Sequence, residues 1–149
     1  MKIRDLVPAA VFVAALTLAT VSVASASGTA RFQQSDGTVK TFPVNIAFIH
    51  TSVRISAIDG HDVLTIPNAA CTFAGDLERC LPYNIILHRN GTEHDIPFEH
   101  GTVYLNLTGT MQPLTHSSKQ VPPNGLLLVV RTQRGTYITV NGTLDEVKQ

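Results

Sequence analysis

The chain has no tryptophan, and only 6% of its 149 residues are aromatic. A carbohydrate-binding reading built on stacked aromatic platforms is weakened by that scarcity. Neither charge is in excess, since 11 Lys and Arg balance 11 Asp and Glu. A nucleic-acid or anionic-membrane partner would need a basic surface that this balance does not supply. There are two cysteines, Cys71 and Cys80, in a C-x8-C spacing that matches no zinc-ligand or thioredoxin signature. They are expected to pair as a structural crosslink. The chain also lacks a G-x-S-x-G elbow, an H-E-x-x-H helix, a phosphate loop and a dinucleotide fingerprint. Ser117 and Ser118 follow His116, but no acid stands nearby to orient a triad. After Val23 no long apolar run recurs, so no stable membrane span is expected beyond the leader.

The N-terminus reads as that leader. Lys2 and Arg4 give a basic start, residues 7–23 are apolar, and Ala24-Ser25-Ala26 fits the small-x-small cleavage rule. Residues 1–26 are therefore read as a cleaved signal helix and 27–149 as a single β-sandwich domain, exported to the periplasm or beyond. No cysteine follows the cleavage point, which argues against a lipid anchor. Loss of Lys2, Arg4 and Asp5 leaves a net charge of about −1, with histidine neutral. An oxidising compartment is where a Cys71–Cys80 bond persists. Closing so short a loop contributes about 2.5–3 kcal/mol in the loop-entropy model.

Turn signals organise the remainder. Asn90-Gly91 lies between two extended segments and favours a type I′ hairpin, which needs φ > 0 at both positions. A two-residue loop pairs Arg89 with Thr92, His88 with Glu93 and Leu87 with His94. Ile86, His88, Glu93 and Asp95 then share one face, and Ile85, Leu87, His94 and Ile96 the other. Ser35-Asp36-Gly37, Asp59-Gly60 and Gln133-Arg134-Gly135 mark further turns. Phe42, Val44, Ile46 and Phe48 alternate with Pro43, Asn45, Ala47 and Ile49, a half-buried strand with Pro43 at an edge or bulge. Val53 and Ile55, then Val103 and Leu105, then Ile138 and Val140 repeat the alternation. Leu126 to Val130 is continuously apolar, which predicts a central strand covered on both faces. Residues 109–125 form the longest loop. The segment between Pro67 and Pro82 is expected to be a loop with a helical turn near Asp76–Arg79. The pattern amounts to about nine short strands. It predicts an all-β, antiparallel two-sheet sandwich, immunoglobulin-like only loosely because the Cys…Trp…Cys spacing is absent.

Histidine is the suggestive excess: His50, His61, His88, His94, His100 and His116. His88, His94 and His100 recur around Glu93, Asp95 and Glu99. Neutral imidazoles at His88, His94 and His100 with Glu93 or Glu99 would form a copper or zinc site. A turn and Pro97 interrupt the run, so its even spacing is not geometry. Glu93 with Asp95 or Glu99 is the acid pair a hydrolase would use. Asn90-Gly-Thr92, Asn106-Leu-Thr108 and Asn141-Gly-Thr143 fit the glycosylation pattern, as Asn-Gly turns and Thr-rich strands do on their own account. The short Ala/Ser-rich leader has a bacterial character. The leading expectation is a non-catalytic structural or interaction module of the envelope or extracellular space. It would meet another protein through an edge strand or the 109–125 loop. The alternatives are the small Cu/Zn-binding protein and the hydrolase.

Overall fold

Left-handed residues set the hairpins. Gly37, Gly60, Gly91 and Gly135 have φ of 92°, 96°, 74° and 89°, and Asn90 has φ 52°. Each falls at a turn marked in the sequence. Asp36 and Asp59 accept hydrogen bonds from the backbone N–H two residues on, at 2.8 and 3.0 Å, which closes two of these turns. The computed structural model describes residues 23–74, 77–114 and 119–148, and among them there is no helix.

The strands are β1 (Val23–Gln33), β2 (Val39–Ile49), β3 (Ser52–Ala57), β4 (Asp62–Ile66), β5 (Ala69–Ala74), β6 (Leu77–Pro82), β7 (Ile86–Arg89) and β8 (Thr92–Asp95). They continue as β9 (Phe98–Asn106), β10 (Gln112–Pro113), β11 (Gln120–Val121), β12 (Gly125–Thr132) and β13 (Tyr137–Lys148). Eleven of them form one antiparallel sheet in the order β5-β6-β9-β12-β13-β1-β2-β3-β4-β7-β8, and β10 and β11 pair separately. The all-β, antiparallel expectation holds, but the strands join in one large curled sheet and not clearly in the two sheets of a sandwich. One curled sheet folds over its own core, and the main cluster is drawn from both halves of the strand order, with a smaller cluster outside it.

Three short crossovers show how far the sheet curls. β4 passes to β5 through Pro67 and Asn68 alone, although nearly the whole strand order lies between them. Residues 83–85 and 96–97 make the other two. Asn68 pins the first: its Oδ1 accepts from Thr51 Oγ1 at 2.7 Å and its carbonyl accepts from Tyr83 N–H at 3.1 Å. The sheet can curl because Gly28 and Gly142 face each other between β1 and β13. A Cβ on Gly28 would strike the Asn141 carbonyl, and one on Gly142 would come within 2.8 Å of Ile46.

The alternations hold. Val44, Ile46, Phe48, Val53, Ile55, Val103, Leu105, Ile138 and Val140 are all 2% exposed or less. In β12, Leu126, Leu128 and Val130 enter the main core, while Leu127 packs with Leu77 and Val121 on the opposite face. The 109–125 segment is thus partly a cover for that outer face. Asn106 holds it there. Its buried amide donates to the carbonyls of Thr110, Val121 and Pro122 at 2.7–3.1 Å, and its Oδ1 accepts from Thr108 N–H and Oγ1. A glycan on Asn106 is incompatible with this arrangement. Asn90 and Asn141 are exposed.

Pro43 is not on an edge strand, because β2 lies between β1 and β3. It sits one residue past the last β2–β3 pair, Val44 with Ala57, so its missing N–H leaves no gap in that ladder. The helical turn expected near Asp76–Arg79 is not found where the chain is described: Leu77–Pro82 is strand, paired along its length with β5. Most of the expected leader lies outside the described residues. Val23–Ala26 are described, and they pair with both β2 and β13 ahead of the expected cleavage point.

Candidate functional site

The sharply turned hairpin β7–β8 builds one wall of a cleft. Its register is the expected one, with Arg89 opposite Thr92, His88 opposite Glu93 and Leu87 opposite His94. Leu87, Arg89 and His94 therefore project from one face and meet residues from two other elements: Phe32 and Gln34 at the end of β1, and Thr132, Arg134, Thr136 and Ile138 around the β12–β13 turn. Asp95, Ile96 and Pro97 complete the lining of a cavity of about 270 Å³. That is near the lower end of the range for small-molecule sites, about 300–1,000 Å³.

Several bonds hold the walls together. Gln133 N–H donates to the Pro97 carbonyl at 3.1 Å, which ties the β12–β13 turn to the β8–β9 crossover. Thr136 N–H donates to Thr132 Oγ1 at 3.0 Å, and Thr136 Oγ1 donates to Gln34 Oε1 at 3.2 Å. Phe32 stacks on Phe42 with ring centroids 5.7 Å apart, which fixes part of the apolar floor. Arg89 and Arg134 line the same cleft. Neither makes an ion pair with a described residue, whereas Arg54 is paired with Asp62 and Arg131 with Glu99. A guanidinium left unpaired over an apolar surface is a ready donor fork for a carboxylate.

The opposite face of the hairpin behaves differently. His61, Asp62, His88, Asn90, Gly91 and Glu93 border a second, more open hollow. Three of its polar side chains, Asp62, His61 and His88, are engaged by neighbours outside the lining. Arg54 donates twice to Asp62, at 2.7 and 3.1 Å, and holds that carboxyl below its ordinary range. Asp59 is lowered as well, first by the His61 backbone N–H, and its Oδ2 lies 2.9 Å from His61 Nδ1. His88 Nε2 is 2.7 Å from Thr65 Oγ1.

The expected copper or zinc ligands are consequently spread over three surfaces. His88 and Glu93 border the open hollow, His94 lines the cleft on the other face, and His100 lies in β9 opposite Arg131 and borders neither. Of the acid pair, Glu93 borders the hollow and Asp95 borders the cleft, although the register leaves both on one face of β8. Glu99 faces Arg131 at 3.6 Å.

Sequence reasoning missed Arg89, Arg134 and Glu78. Both arginines stand beside marked turns, but nothing local signals that residues so far apart in sequence line one cleft. Glu78 lies in β6 and is 3% exposed. Its Oε1 has no hydrogen-bond partner, and burial pushes its pKa above the ordinary glutamate value. It points the same way as Cys80, which is disulfide-bonded to Cys71 directly across the β5–β6 ladder.

No protein-family model matches the chain, and no curated protein matches it significantly, so the functional reading rests on its own residues.

Proposed function

We propose that the protein is a non-catalytic binding module of the envelope or extracellular space, and that the cleft beside the β7–β8 hairpin takes a small organic acid with an apolar body. The observation that carries this is that Arg89 and Arg134, neither ion-paired with a described residue, line one cleft with the apolar Phe32, Leu87, Ile96 and Ile138. The floor receives the hydrocarbon, and the arginines fix the carboxylate. Gln34, Thr132 and Thr136 already bond to one another, so they arrive pre-ordered and little side-chain entropy remains to be lost on binding.

Hexanoate and its neutral amide are the matched probes. By titration calorimetry the acid binds and hexanamide does not. The double variant Arg89→Met/Arg134→Met weakens hexanoate by about tenfold or more, the value of a lost charge-assisted hydrogen bond. Equal binding of the two probes, or an unaffected double variant, ends the proposal.

The export reading is supported by the Cys71–Cys80 bond, which suits an oxidising, non-cytoplasmic setting. A mature mass with the leader removed tests it. A second reading is supported by β8, which ends the sheet with all four residues exposed. Such an edge accepts a strand from a partner protein. Proline at Glu93 would abolish capture of that partner while sparing hexanoate.

A further inference from the structure

A second site lies at the other edge of the sheet, independent of the cleft. Antiparallel pairing sets Cys71 of β5 directly opposite Cys80 of β6. Glu78 is two residues before Cys80, so its side chain leaves the same face of the ladder. One donor atom from each of the three comes within 4.8 Å of the other two, and this is the sole such triple of His, Cys, Asp and Glu among the described residues. Glu78 is 3% exposed and one of its oxygens has no partner. A buried, unsatisfied carboxyl is costly. A disulfide offers it no hydrogen to accept, so the crosslink alone does not explain why glutamate stands there.

We propose that Cys71, Cys80 and Glu78 form a redox-gated site for a zinc-class divalent ion, closed while the disulfide is intact and opened by its reduction. Two equivalents of a thiol reductant, RSH, give RSSR and two cysteine thiols, so two electrons pass to the protein sulfurs. Zn²⁺ then binds both sulfurs and the carboxylate, and the displaced protons leave to solvent. The sulfurs must separate to about 3.8 Å, the spacing that tetrahedral Zn–S bonds impose. The ladder can deliver this by side-chain rotation, because β5 is an edge strand with no neighbour on its far side among the described residues. Leu105 of β9, paired with Glu78 and fully buried, closes the inner side. Cys71 is only partly buried and gives the reductant and the ion their approach. Three protein ligands leave the fourth position of the ion to water.

The test uses the full chain, oxidised and after dithiothreitol treatment followed by anaerobic desalting. Zinc affinity is read by competition with a chromophoric chelator, and Co²⁺ reports thiolate ligation through its charge-transfer absorbance. The reduced chain binds one Zn²⁺ about a hundredfold tighter than the oxidised chain, and reduced Glu78→Gln loses about tenfold of that gain. Oxidised Glu78→Gln melts cooperatively at or above the wild-type temperature, which shows that its fold is intact. His88→Ala and His94→Ala bind as wild type. Equal affinity of the oxidised and reduced chains overturns the proposal. So does a reduced Glu78→Gln chain that binds as tightly as reduced wild type, which is also the result if reduction unfolds the protein and free thiols alone take the metal.

Discussion

The two edges of the sheet are both hairpins, and they are built on opposite plans. The β5–β6 hairpin turns its chemistry inward. Cys80 is fully buried, Glu78 nearly so, and a disulfide ties the strands together. The β7–β8 hairpin turns its chemistry outward. All four residues of β8 are exposed, and its order comes from Asn90 and Gly91 in the left-handed region. An edge strand can thus be secured by a covalent staple or by a turn that fits the sheet's own twist. The stapled edge can hold an unsatisfied acid because the crosslink offsets its cost. The edge secured by its turn leaves its side chains free to line a cleft.

That contrast can be broken by mutation, beginning with the staple. Cys71→Ala/Cys80→Ala should lose about 2.5–3 kcal/mol in denaturant unfolding, more than any single change in β7–β8. A loss below that of the turn variant described next would reverse the ranking of the two edges. Gly91→Ala, which forces a side chain into the left-handed region, should cost about 1–2 kcal/mol. It should leave the β5–β6 amides as protected from hydrogen exchange as in wild type.

Glu78→Met should gain about 1 kcal/mol or somewhat more, since it replaces an unpaired buried polar group with an apolar one of similar length. The gain should depend on pH. The folded-state pKa of Glu78 is raised above its ordinary 4.5 by burial. Below that ordinary value both states carry the proton and the wild type has its full stability. As pH rises toward the raised value the unfolded chain releases its proton first, and wild-type stability falls. Methionine has no such fall, so its advantage widens from acid to neutral pH. A gain that stays constant across this range would show that the acid is not isolated. The smallest effect is expected for Arg89→Met and Arg134→Met, which should change stability by less than about 0.5 kcal/mol while removing hexanoate binding. A large loss of stability would make them structural rather than recognition residues.

The same contrast explains what could be read in the sequence. Asn90-Gly91 gave its hairpin to the exact register, because a type I′ turn dictates both the loop length and the pairing around it. Leu77 to Pro82 was misread because its pattern is inverted. The inward positions carry Glu78 and Cys80, and the outward ones carry Leu77 and Leu81, of which Leu77 is covered by Val121 from the distant loop. Alternation cannot reveal a strand whose polar residue faces the core. The single curled sheet was hidden for another reason: Pro67 and Asn68 resemble any short turn, yet they connect strands on opposite sides of the fold. The cleft was half legible. His94 and Asp95 stood out, but Arg89 and Arg134 meet only through the β12–β13 turn and its bond to Pro97.

The most direct measurement is an amide NMR titration of the oxidised protein with hexanoate. The account predicts saturable shifts confined to Gln34, Arg89, His94, Arg134 and Thr136, with none at Cys71, Glu78 or Cys80. Shifts centred on His88 and Glu93 at the open hollow, or no saturable shift at all, would contradict it.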